Sequence, residues 1–66
     1  MKDYLLLGKK GGSTLFIVKD SKLHTACIEL PNGNIKEVCS HTTMKDTYFE
    51  AINFANKHSY VLDDGD

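Results

Sequence analysis

The chain has no arginine: all eight of its basic residues are lysine. Arginine's planar fork matches the paired acceptors of guanine and phosphate, and an ammonium does not, so sequence-specific reading of DNA is disfavoured. A net charge of −1 offers no long-range attraction to nucleic acid or to an anionic membrane. The N-terminal apolar run Tyr4-Leu5-Leu6-Leu7 is far too short for a secretory core or a membrane span. Cysteine is scarce as well. Cys27 and Cys39 lack CxxC spacing and, with no signal peptide in view, read as reduced thiols of a cytoplasmic protein. Linkers, repeats and low-complexity segments are absent. The lack of arginine beside abundant Lys, Asn, Asp and Ile also fits an AT-rich coding source, such as a low-GC bacterium or its bacteriophages.

What is present is an ordinary globular composition, 41% hydrophobic and 26% charged. Sixty-six residues make one domain, 1–66, with the acidic stretch Asp63-Asp64-Gly65-Asp66 expected as a frayed tail. A chain of this size buries only about 60% of its unfolded surface, so its core is marginal.

The strongest local signal lies between Leu23 and His41, where two alternating runs flank Pro31-Asn32-Gly33-Asn34. Asn-Gly is the preferred pair for a two-residue type I′ hairpin turn, because both positions need positive φ. With Asn32 and Gly33 as the turn, Leu30 faces Ile35, Glu29 faces Lys36, Cys27 faces Val38, Ala26 faces Cys39 and His24 faces His41. Lengthening that loop by one residue would set Glu29 against Glu37, a like-charge pair, and Cys27 against Cys39. The two-residue turn is favoured, and it leaves the cysteines on opposite faces of the sheet, too badly placed for a disulfide.

Elsewhere, Asp3–Leu7 reads as a first strand ended by Gly8-Lys9-Lys10-Gly11-Gly12, and Ser13–Lys19 as a β-branched second strand. Asp20-Ser21-Lys22 turns into a third, Leu23–Leu30, and Ile35–Ser40 is the fourth. Thr43 followed by Asp46, and Asp46 or Thr47 followed by Glu50, resemble capping boxes, so a helix is expected from about Thr43 to Lys57. Its apolar stripe is Met44, Tyr48, Ala51, Ile52 and Ala55. Tyr60-Val61-Leu62 would dock back or add a short strand. The expected class is α+β: a four-stranded antiparallel meander followed by one amphipathic helix, ββββα.

One helix covers one face of a sheet, and here two faces need cover. On the third and fourth strands, His24, Ala26, Ile28, Leu30, Ile35 and Cys39 make an apolar face, and Thr25, Glu29, Lys36 and Ser40 a wetter one. On the first two strands, Tyr4, Leu6, Phe16 and Val18 alternate with Leu5, Leu7, Leu15 and Ile17, so both faces are apolar. Phe49 and Phe54 lie off the central helical stripe. A surplus apolar face of several hundred Å2 marks an interaction surface, and points to a homodimer or a protein partner. The candidate binding residues are Leu5, Leu7, Leu15, Ile17, Phe49 and Phe54, with Lys9 and Lys10 at the tip of the first hairpin. The alternative is that the C-terminal segment or sheet curvature hides the second face.

Chemistry is thinner. His24, Cys39 and His41 share a face in the favoured register, and imidazole with thiolate is a zinc donor set. No fourth ligand is evident, and a buried apolar thiol is the preferred reading of Cys39. A Cys39–His41 nucleophile pair lacks an orienting group and an oxyanion donor. Gly8-Lys9-Lys10-Gly11-Gly12-Ser13-Thr14 is no phosphate loop, since its lysines precede the glycines and a strand follows. The terminal aspartates lack the distal glutamate of a calcium loop. The expectation is therefore a non-enzyme without metal or cofactor.

In element order, size and basic first hairpin, the chain is similar in outline to PC4-like single-stranded-DNA-binding domains. That resemblance implies a dimeric nucleic-acid binder in which Lys9, Lys10, Lys19, Lys22 and Lys36 meet phosphates. The residues themselves favour a small cytoplasmic protein-binding regulator or inhibitor acting stoichiometrically, of the kind bacteriophages and mobile elements carry against host proteins.

Overall fold

The computed structural model describes residues 3–62, so the expected acidic tail at 63–66 lies outside the described residues. The element order is β1 (Asp3–Lys10), β2 (Ser13–Asp20), β3 (Leu23–Glu29), β4 (Ile35–His41), α1 (Met44–Lys57) and β5 (Val61–Leu62). All pairings are antiparallel, and the sheet runs β4-β3-β2-β1-β5. The ββββα meander with a short terminal strand is therefore the observed fold. Gly8 does not end the first strand, which continues to Lys10; the reversal falls on Gly11 and Gly12, with Gly11 at φ 58°.

The hairpin between β3 and β4 departs from the two-residue turn. Its loop is Pro31-Asn32-Gly33: the Gly33 amide donates to the Leu30 carbonyl at 2.9 Å, and the Leu30 amide donates to the Asn34 carbonyl at 2.7 Å. Proline holds negative φ and suits the first central position of a type I turn, leaving only Gly33, at φ 91°, in positive territory. The Asn32 side chain closes the loop by accepting from the Asn34 amide at 3.0 Å. Register near the turn is thus shifted by one, pairing Glu29 with Ile35, Ile28 with Lys36 and Cys27 with Glu37. A bulge at Val38 absorbs the extra residue and restores the expected pairs of Ala26 with Cys39 and His24 with His41. The expected pairs of Leu30 with Ile35, Glu29 with Lys36 and Cys27 with Val38 fall with the shift, and Ile35 leaves the core face for the opposite one.

Thr43 caps the helix, its hydroxyl accepting from the Asp46 amide at 3.2 Å. The row pressed on the sheet is Thr47, Ala51 and Ala55, all fully buried, while Met44 and Tyr48 of the expected stripe are exposed. Small side chains at this i, i+4, i+8 row let the helix axis approach the strands closely. Beneath them lie Leu7, Leu15, Ile17, Ala26, Ile28 and Cys39. The helix ends in a Schellman motif: the Tyr60 amide donates to the Ala55 carbonyl at 2.8 Å across Ser59, which sits at φ 63°. Tyr60 then packs against Phe54 with ring centroids 5.8 Å apart. This reversal delivers Val61 and Leu62 to the edge of β1 beside Gly8 and Lys9. Val61 and Leu62 extend the sheet instead of covering its second face. No helix among the described residues is long and apolar enough to cross a membrane.

Candidate functional site

The strand registers assign the paired side chains to faces. Leu15, Ile17, Ala26, Ile28 and Cys39 point to the helix and their paired neighbours point away, while Val38, at the bulge, packs against the core. Of the residues expected to bind, Leu7, Leu15 and Ile17 are core beneath α1, and Leu5 lies at its margin. The uncovered alternation is the other one: Tyr4 beside Val18, Leu6 beside Phe16, and Phe16 beside Cys27. Tyr4 and Phe16 stack with centroids 5.2 Å apart, which shields Phe16 and leaves Tyr4 59% exposed. Leu23, Ile35 and Val61 join the same face through their pairing with Asp20, Glu29 and Lys9, and are 43%, 61% and 75% exposed. Strand alternation marked Tyr4, Leu6, Phe16 and Val18 as a second apolar set but did not tell which of the two sets the helix covers, and Ile35 was missed because its side depends on the hairpin loop and the bulge.

Polar groups border this apolar centre unevenly. Thr25 and Ser40 are hydrogen-bonded to each other at 3.1 Å. Asp20, Glu29 and Glu37 carry negative charge, whereas Lys9 on β1 is, among the described residues, the one lysine that register puts on this face. Lys10 points to the opposite side, its Nζ 6.0 Å from the Tyr60 ring centroid. Lys19 and Lys36 pair into the helix face and Lys22 lies in the turn at the far end, so these five lysines form no common patch. Phe49 is 69% exposed on the outer side of the helix, and Phe54 is half-buried between His58 and Tyr60.

A second constellation lies where the start of α1 meets β3 and β4. Cys39 and His41, two apart on β4, point the same way, and Glu50 reaches them from the helix. His41 Nε2 and Glu50 Oε1 are 2.7 Å apart. Cys39 Sγ donates a weak bond to the Thr47 carbonyl at 3.8 Å. His24 stands opposite His41, and its Nδ1 is buried without a hydrogen-bond partner among the described residues. Burial pushes the Cys39 thiol above its ordinary pKa, and the Glu50 and Glu37 carboxylates push the same way against an opposing backbone hydrogen bond. Burial and then Glu37 raise Cys27 likewise. Both cysteines are free, on opposite faces as expected.

Near these groups a cleft of about 210 Å3 is lined by Tyr4, Leu5, Ile17, Lys19, His24 and Met44. That is below the roughly 300–1,000 Å3 of ordinary small-molecule sites. Comparison with family models, with curated proteins and with solved structures finds no match for this chain.

Proposed function

We propose that this chain is a non-enzymatic binding protein whose working form is a homodimer, closed by packing the uncovered sheet face against the same face of a second copy. The observation that carries this is the sheet face that no other element among the described residues covers: Tyr4 stacks on Phe16 near its middle, and Leu23, Ile35 and Val61 lie exposed towards its borders. Strands about 4.8 Å apart that rise about 3.3 Å per residue give four strands of seven or eight residues a face of about 500 Å2. Two such faces bury about 1,000 Å2, the lower bound for a specific interface.

Charge supports a self-complementary arrangement. A twofold axis parallel to the strands lays β1 of one copy over β3 and β4 of the other, with the turn ends aligned. Lys9 then meets Glu29 and Glu37 of the second copy, while the apolar centres stack. The same three carboxylates that border the face oppose a phosphate backbone, which disfavours the single-stranded-DNA reading. In such a dimer both helices face outward, each presenting Phe49, and a stoichiometric regulator or inhibitor would meet its protein target there.

Sedimentation equilibrium over a wide concentration range tests the dimer. Wild type is expected to associate, and Tyr4→Lys and Ile35→Lys to be monomeric with unchanged circular dichroism, whereas Phe49→Lys still associates. A wild type that stays monomeric throughout overturns the reading. Fluorescence anisotropy with single-stranded DNA at two salt concentrations is the companion measurement; salt-sensitive binding would favour the nucleic-acid reading instead.

A further inference from the structure

We propose that Cys39, His41 and Glu50 form a site for a divalent cation of the zinc class, on the helix side of the sheet and independent of the dimer face. The donor atoms of these three residues lie within 4.8 Å of one another. A tetrahedral zinc ion, with bonds of about 2.0–2.3 Å, separates its ligands by roughly 3.3–3.8 Å. Rotamer adjustments of up to about 1.5 Å therefore close the site. The ion takes the place of the proton shared by His41 and Glu50 across 2.7 Å and of the proton on Cys39.

The scaffold holds these groups in place. Cys39 and His41 follow the Val38 bulge, on a stretch of β4 whose register with β3 is regular. Glu50 lies one turn beyond Thr47, which is tied to the His24 carbonyl at 2.8 Å, and the Thr43 cap fixes the helix start. The chain's two ligand-bearing elements are thus braced against each other before any ion arrives.

Two further observations point to a cation here. His24 Nδ1 is a buried polar atom left without a partner beside His41. The donor atoms of His24 lie outside the close group of Cys39, His41 and Glu50, so the fourth coordination position falls to water. The second observation is the donor set itself. One sulfur, one imidazole nitrogen and one carboxylate oxygen suit zinc; calcium and magnesium prefer oxygen alone. His41 and Glu50 are partly open to solvent, so the ion has a path of entry.

The test is a titration of the reduced, tag-free protein with cobalt(II), read by absorption, followed by competition with zinc. Binding of one equivalent is expected, with intense tetrahedral ligand-field bands in the visible and a thiolate-to-cobalt charge-transfer band in the near ultraviolet. Cys39→Ser should abolish the charge-transfer band. His41→Gln and Glu50→Gln, at more exposed positions, should each weaken cobalt binding at least about tenfold. Glu37→Gln, which removes a neighbouring charge but no ligand, should keep both bands. Zinc should also raise the melting temperature, and a chelator should reverse the rise. Absence of a tetrahedral spectrum, or a spectrum indifferent to the Cys39, His41 and Glu50 substitutions, overturns the site.

Discussion

Thr47 Oγ1 donates to the carbonyl oxygen of His24 at 2.8 Å, and Thr47 is fully buried. The bond joins the second turn of α1 to the start of β3, residues 23 positions apart in the chain. Thr47→Val keeps the shape and removes the donor, leaving the carbonyl to a methyl group. A loss of about 1–2 kcal/mol is expected in urea denaturation. A variant as stable as wild type would show that packing alone seats the helix.

Gly33 at φ 91° occupies backbone space that β-branched residues avoid, although nothing crowds the position of an added Cβ. Gly33→Val is expected to lower the melting temperature strongly, and Gly33→Ala by the equivalent of about 1 kcal/mol or more. Since open space surrounds the site, the whole effect is conformational. An unchanged melt for Gly33→Val would contradict the loop geometry.

Ser59 is the converse case. It holds φ 63° at the position after the helix cap where glycine is the usual residue. Ser59→Gly should stabilise the fold by some tenths of a kcal/mol, up to about 1, because strain relief competes with the greater freedom of glycine in the unfolded chain. Thermal and urea melts giving a destabilised variant would refute this.

At Gly8, a Cβ would stand 2.6 Å from the Val61 carbonyl oxygen and 3.2 Å from Leu62 Cα. Gly8→Ala therefore cannot keep β5 where it is. Amide exchange at Val61 and Leu62 is expected to accelerate while β2 and β3 stay protected. Equal protection in β5 would mean that the two strands separate slightly without parting.

Cys27 is buried, and its thiol is raised above the usual range first by desolvation and then by Glu37. Its alkylation near neutral pH should be much slower in the native protein than in urea. The folded state holds this proton more tightly than the unfolded state. Its contribution to stability is therefore complete below the ordinary thiol pKa and is lost as pH rises through the raised one. Melts from pH 8 upward should show a smaller decline in Cys27→Ala. Reducing agent should leave the wild-type melt unchanged, since the cysteines are free on opposite faces.

Much of the fold was legible because its determinants are local. Alternation located β2, β3 and β4 to within a residue at each end, and Thr43 with Asp46 located the helix start. What escaped were compromises between distant parts. Pro31 selects a three-residue loop, the pairing of Ala26 with Cys39 demands a different register, and only the bulge at Val38 reconciles them. Ile35 changed sides as a result. Glu50 went unpaired with Cys39 and His41 because the helix's rotation about its own axis is set by Thr47, Ala51 and Ala55, three residues with little apolar weight. Hydrophobic periodicity points to Met44 and Tyr48 instead.

The Val38 bulge also governs what β4 can do as the outermost strand. A straight, regular border of seven residues would offer an even row of amides and carbonyls to any passing strand. Here the row is broken midway, and Lys36 and Glu37 sit charged and exposed beside the break. Growth by adding strand upon strand is frustrated at that border. The proposed dimer would therefore be a closed unit, where an unbroken border would invite fibres.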